Sequence, residues 1–397
     1  MNSTTWVSGL CGALLALAAG PAVAEWSAEI GLEARGFFND PLFPDQQHSS
    51  GSVRLLPSYW HDWDDGDQRF AAELFFRADS ADSERTHADL REFYWRRSFS
   101  AAELSIGLRR VFWGVTESVH LVDIINQTDF VENIDTEDKL GQPMVHLSLL
   151  KDWGTLDFFV MPWFRERTFA GSGGRLRPPV PVDTDNPIYE SSAEQNHIDL
   201  AVRWSHYIGD YDIGLAHFSG TAREPRFMPS LDDTGSLVIR PFYQQLEQTS
   251  LDLQATKGSW LWKVEAVSRR ELGSRSTGVV AGFEYTLVGA FGSVIDLGFI
   301  TEYLFDDRGK TLAIGDNDVA LGVRLAFNDV QSTELLAFSA IDLDNGGGFT
   351  SVEGSRRLGQ NYRLSLEARF FSGLGPEELI FSVRDDDYVE LELTRFF

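Results

Sequence analysis

Charged side chains recur at every second position in stretches of this chain whose intervening residues are apolar. Glu29, Glu33 and Arg35 alternate with Ile30, Leu32 and Ala34, and Arg69, Glu73 and Arg77 with Phe70, Ala72, Leu74 and Phe76. Further along, Asp199 and Arg203 alternate with Leu200, Val202 and Trp204, Lys263 and Glu265 with Trp262 and Val264, and Arg363, Glu367 and Arg369 with Leu364, Leu366 and Ala368. Arg54, Asp296, Glu302 and Arg324 hold equivalent positions. Acids and bases are nearly balanced in this set, so the chemistry it suggests is electrostatic. Such residues either pair between strands and keep a wall wet, or oppose each other across an ion-selective narrowing. Reaction chemistry has no comparable signal. The eight histidines show no metal-ligand spacing, no nucleophile–base–carboxylate order stands out, and no cofactor motif is present. The acidic clusters Asp62–Asp67 and Asp342–Asn345 lack the closing Glu of a calcium loop and read as solvated turns.

Strict period-two alternation is the signature of β-strands with one wet and one apolar face. It is clearest where Val319, Leu321, Val323, Leu325 and Phe327 oppose Asp318, Ala320, Gly322, Arg324 and Ala326. A charge on a hydrocarbon-facing strand position costs about 2–4 kcal/mol, so the charged sets should face a lumen. Long and very short connections alternate between the strands, with short turns near 61–68, 98–101, 151–154, 208–211, 257–259, 288–292, 328–331 and 358–361. This is the layout of a transmembrane antiparallel β-barrel with long external loops and tight periplasmic turns. Eight turns separate nine hairpins, which predicts about 18 strands; dividing residues 222–257 differently would give 16.

The ends of the chain agree with an outer-membrane destination. Residues 10–24 form an apolar run ending in Ala22-Val23-Ala24, which predicts a signal peptide over 1–24 and a barrel over 25–397. The single cysteine, Cys11, falls within that leader, so thiol chemistry is not expected of the mature protein. No separate N-terminal plug is expected before the first strand. Phe397 closes an alternating terminal strand in the manner of a barrel-insertion signal, with Arg395 standing where an apolar side chain is usual. The net charge of -26 argues against nucleic acid as a partner. The expected surroundings are the lipid bilayer, lipopolysaccharide and the insertion machinery, with oligomers open because every outer face is apolar.

Two long loops are the expected determinants of selectivity. One, residues 113–142, carries an apolar centre from Val119 to Ile125 that an exposed loop would not need, and should fold inward. The other, residues 165–195, holds Arg165, Arg167, Arg175 and Arg177, which either meet an anionic solute or lipopolysaccharide phosphate or pair with acidic neighbours.

The run from Leu90 to Asp129 resembles a motif of a widespread, uncharacterised group of proteobacterial outer-membrane proteins, some of which accompany RND-type exporters. Arg91, Glu92, Tyr94, Gly107, Val111, Trp113, Gly114, Asp123, Asn126 and Asp129 carry the resemblance, over about a tenth of the chain, with Arg109-Arg110 replacing the usual Arg-Gln. It implies a porin-like barrel without enzymatic activity, and an inward loop in which Trp113, Asp123, Asn126 and Asp129 form a constriction. The functions to be weighed are a passive or facilitated channel for small solutes, a non-conducting accessory barrel working with an exporter or periplasmic partner, and a loop-borne hydrolase.

Overall fold

The computed structural model describes residues 24–397; the predicted leader lies outside them, apart from Ala24. Strands β1 (Ala24–Phe37), β2 (Ser49–Trp63), β3 (Gln68–Asp79), β4 (Ala88–Phe99), β5 (Ala102–Arg109), β6 (Gln142–Lys151) and β7 (Gly154–Met161) form the first part of one sheet. After the short β8 (Ile188–Tyr189), the sheet continues with β9 (Asp199–Ile208) and β10 (Tyr211–Thr221). Two further short strands, β11 (Arg226–Leu231) and β12 (Leu237–Tyr243), precede β13 (Gln245–Lys257), β14 (Trp260–Glu271), β15 (Ser274–Leu287) and β16 (Asp296–Asp306). The wall ends with β17 (Asn317–Ala326), β18 (Glu334–Asp342), β19 (Gly348–Leu358), β20 (Tyr362–Ser372) and β21 (Tyr388–Phe396).

Eighteen of these strands form one antiparallel sheet, and β1 closes it by pairing with β21 from Glu29↔Phe396 to Phe37↔Tyr388. Closure leaves no open edge, which is the condition for a sheet to sit in lipid. The count meets the expectation of 18 and excludes 16. Residues 226–243 are not wall: β11 and β12 form a ribbon, and β8 joins β12 in a separate three-stranded sheet.

All eight predicted turns lie at one end of the barrel. In the first, Asp64, Asp65 and Gly66 take φ of 59°, 54° and 91°. The long connections gather at the other end, where two are short, the five residues 343–347 between β18 and β19 and a tighter turn. Between β14 and β15 only Leu272 and Gly273 intervene, with φ of 48° and 80°, the left-handed pair that a two-residue hairpin turn needs. The alternation places side chains as expected, with Leu321 49% exposed on the outer wall and Ala320 fully buried inside. A register slip occurs where Glu73 pairs Glu92 but Leu74 pairs Leu90. The extra residue is Arg91, and the bulge lets both Arg91 and Glu92 find partners inside. At the terminus, the Phe397 amide donates to Ala28 O (2.9 Å), and Arg395 lies over the Phe397 ring at 4.3 Å.

Candidate functional site: a loop across the lumen

The connection from β5 to β6, residues 110–141, runs into the barrel. Asn126 fixes its base: its Oδ1 accepts from the Val111 amide (2.8 Å), and its Nδ2 donates to Arg109 O and Leu140 O (both 2.8 Å). One buried amide thus clamps both ends of the loop. Asp123 accepts from the Trp113 amide (3.3 Å) and pairs with Lys139 at 3.0 Å. The Trp113 ring meets Phe159 edge-on at 5.6 Å, and Arg203 lies over it.

The apolar centre explains why the loop enters. Leu121, Val122, Ile124 and Ile125 are buried against Phe159 and Met161 on one side and Val267, Val280 and Ile300 on the other. This inner wall is apolar, contrary to the simple expectation of a polar lumen, because the loop and not water covers it. Burial of four such side chains contributes about 1.5–3 kcal/mol each, against the ordering entropy of the loop.

Two wall carboxylates hold the loop tip. Glu265 on β14 accepts from the amides of Val115 (2.7 Å), Thr116 (3.1 Å) and Val122 (3.2 Å) and from Thr116 Oγ1 (2.8 Å). Glu302 on β16 accepts from the amides of Glu117 and Ser118 (both 2.8 Å) and from Ser118 Oγ (2.6 Å). Glu117 then reaches Arg324 at 2.8 Å and Lys263 at 3.6 Å. Strands β16 and β17 are the eighth and ninth from β5 around a wall of eighteen. The loop therefore crosses to the opposite side.

Its second half returns to the near wall at β3 and β4 and then reaches β20, six strands from β5 in the other direction. Asp129 pairs with Arg91 (2.5 Å) and accepts from Thr168 Oγ1 (2.6 Å); Glu132 pairs with Arg77 (2.7 Å). Asn133 donates to Glu367 (3.1 and 3.2 Å), and Asp135 lies 3.6 Å from Arg369. Although burial works against ionisation, the His87 and Arg91 cations hold the Asp129 carboxyl down at about 2. Burial pushes Asp123 up, partly offset by Lys139. It pushes Asp135 up to about 7, while Asp138, exposed to the lumen, is pushed up to about 6 by the enclosing protein and by Glu132 and Asp129 beside it. Burial disfavours charge on His120 too, but Glu137 (3.1 Å) and Glu265 (3.8 Å) overcome it and raise the imidazole to about 10.

Two clusters of described residues bring three ligating groups within 4.8 Å: His87, Asp129 and Glu132, and Glu33, Glu390 and Glu392. Arginines already serve both. Arg91 and Arg77 occupy the first, and Arg35 on Glu390 (2.5 Å), Arg54 on Glu392 and Arg77 on Glu33 (2.5 Å) occupy the second. Their donor sets are those of an ion-pair network.

The residues expected on the lumen divide into groups. Glu33, Arg35, Arg54 and Arg77 form interstrand pairs near the long-loop end, joined there by Arg85 of the β3–β4 loop, with Glu33–Arg85 at 2.6 Å and Glu29 3.8 Å from Arg54. Three pairs bridge second-neighbour strands over a glycine: Arg54–Glu392 over Gly31, Arg203–Asp252 (2.6 Å) over Gly214, and Arg324–Glu284 (3.4 Å) over Gly298. Arg69 pairs with Asp62 (2.6 Å) and Glu73 with Arg110 (2.5 Å). Glu265 and Glu302 point inward but are fully buried under the loop, as is Asp199, which pairs with Arg223 (2.7 Å). Asp296, the first residue of β16, sits at the short-turn end, where it accepts from the Gly289 amide and Asn328, and Arg363 lies over Phe396 at the short-turn mouth. Glu117, His120 and Arg223 escaped the sequence reading, which took its candidates from the wall alternation, the motif over 90–129 and the arginines of 165–195. Of the loop arginines, Arg165 pairs with Asp89 (2.6 Å) and Arg175 with Asp386 (2.7 Å). Arg177, only 5% exposed, donates to proline carbonyls. The exposed basic patch that an anion would need is not formed, because burial consumes these side chains.

No protein-family model matches the chain, and no curated protein matches it. Solved structures of similar shape are outer-membrane barrels. OccK3 (OpdO) of Pseudomonas aeruginosa is 11% identical over 94% of this chain and 95% of its own, with a TM-score of 0.53. OccK11 (OpdR) of the same organism is 11% identical over 94% and 96%, with a TM-score of 0.52. Wzi of Escherichia coli, an outer-membrane protein involved in group 1 capsule assembly and a carbohydrate-binding β-barrel, is 11% identical over 94% and 84%, at 0.55. What is shared is the barrel fold.

Proposed function

We propose that the protein is a porin-like channel of the Gram-negative outer membrane, through which small solutes pass without chemistry at a constriction set by residues 110–141. The observation that carries this reading is the loop itself, stapled by Glu265 and Glu302 to the wall opposite its origin. A loop ordered in this way narrows a lumen to a few charged edges, and selectivity then depends on what those edges present. Glu117, Lys263, Arg324 and Glu284 form one such edge, and Glu73, Glu92 and Arg110 another. Porin-like relatives in fold support the channel over the accessory barrel. Swelling of proteoliposomes in isotonic solutions of small sugars and amino acids tests it. Swelling that falls off with solute size is expected; no swelling with any solute would overturn the reading.

A further inference from the structure

We propose that the long-loop end of the lumen holds a site for a small organic cation, an ammonium group on a short aliphatic body, seated at Asp318. The inference deepens the channel reading, on which its link to transport rests. A cavity of about 40 Å³ lies between the loop tip at Ser118 and Val119, strands β17 and β18, and the loops at 307–316, 343–347 and 373–387. Four carboxylates line it, those of Asp316, Asp318, Asp342 and Glu378, with Lys310 as the one lining cation. Lys310 is already committed to Asp342, at 2.5 Å.

Asp318 is the unusual member. It is 8% exposed, faces the cavity, and has no hydrogen bond or ion pair among the described residues. The groups facing it are Asp316, Asp342, Glu378 and Lys310, three acids against one base. A buried carboxylate without a donor or counterion is costly, and a cation supplied from solution removes that cost. Burial, only partly offset by Lys310, also raises the carboxyl of the neighbouring Asp316 above its usual range.

The remaining lining selects the kind of cation. No three of these carboxylates converge within 4.8 Å, unlike the two arginine-filled clusters described above, so they do not form a chelating set for a bare metal ion. Leu304, Phe349, Leu379 and Ile380 supply apolar walls instead. Space for two or three waters accommodates one ammonium group with its first methylenes. The Leu379 amide donates to Lys310 O (2.9 Å) and ties two of the loops together over the site. Its floor is the tip of the crossing loop, so a bound cation sits against the proposed constriction.

The test is calorimetric titration of butylammonium into the refolded mature barrel in detergent, with butyrate and Ca²⁺ as comparison ligands. Saturable butylammonium binding without butyrate binding is expected, with Asp318→Asn raising Kd by about tenfold or more. Should Asp318→Asn fail to refold to a heat-modifiable barrel, Asp316→Asn carries the same expectation. Absence of saturable butylammonium binding, binding unchanged in both variants, or Ca²⁺ displacing butylammonium through the same residues would each overturn the proposal. A barrel that conducts but does not bind butylammonium removes the site and leaves the channel. One that binds it but passes no solute removes the channel and leaves the site.

Discussion

Removing the Glu265 carboxylate should loosen the crossing loop without opening the barrel. The side chain accepts four hydrogen bonds from residues 115–122, three of them from backbone amides. Bonds to a charged acceptor contribute about 1.5–3 kcal/mol each, but four sharing one carboxylate are not additive, and water re-solvates some donors once the group is gone. A loss of about 3–5 kcal/mol is therefore the reasonable scale for Glu265→Ala, comparable to breaking a buried ion pair. Even 3 kcal/mol shifts a seated-to-unseated ratio by about a hundredfold. The loop keeps its second anchor at Glu302 and its apolar side chains, so it should flicker and not leave. In planar-bilayer recordings the variant should show frequent brief excursions to higher conductance, and Glu265→Gln, which keeps an acceptor but loses the charge, fewer. A closed, heat-modifiable Glu265→Ala barrel with traces indistinguishable from wild type would refute the reasoning.

The same anchor should be pH-sensitive through His120. Its raised value of about 10 means that the protonated ring's contribution to seating is complete below its ordinary value of 6.5 and is lost as pH rises towards 10. Excursions should therefore multiply between pH 7 and 10, and His120→Gln should abolish that dependence. Asp135 and Asp138, raised to about 7 and about 6, are largely neutral at pH 5 and charged at pH 8. The reversal potential in a salt gradient should move toward cation preference over that interval, and Asp138→Asn should flatten the change. Gly214→Val places methyl groups where the Arg203–Asp252 pair crosses β10. A loss of about 3 kcal/mol is expected, read as a lower temperature for the heat-modifiable gel shift.

The wall was legible because most strands repeat one simple rule, apolar out and polar in, and seven of the eight short turns contain Asp, Asn or Gly, the exception being 98–101. Residues 222–257 were the ambiguous stretch, since the ribbon at 226–243 alternates in much the same way as a strand within the wall. The inward loop was legible too, from the apolar Val119–Ile125 run, which has no use in water. Its anchors were not. Glu265 and Glu302 have the same spacing as Glu29, which faces the lumen with 40% of its side chain exposed, and only the tertiary path of residues 115–118 separates their roles. Arg91 and Glu92 are adjacent in sequence, and period-two reasoning cannot turn both inward; a bulge does. The loop arginines looked like a patch because composition records charge but not burial, which Arg175 and Arg177 show at 4% and 5% exposure.

The central claim is that residues 110–141 set the aperture of an otherwise open barrel. Single-channel conductance of the refolded mature protein, compared with a variant lacking residues 119–125, tests it most directly. A steady, small conductance is expected in the wild type and a severalfold larger one in the deletion, with the barrel intact in both. Equal conductance in the two, or none in either, would contradict it.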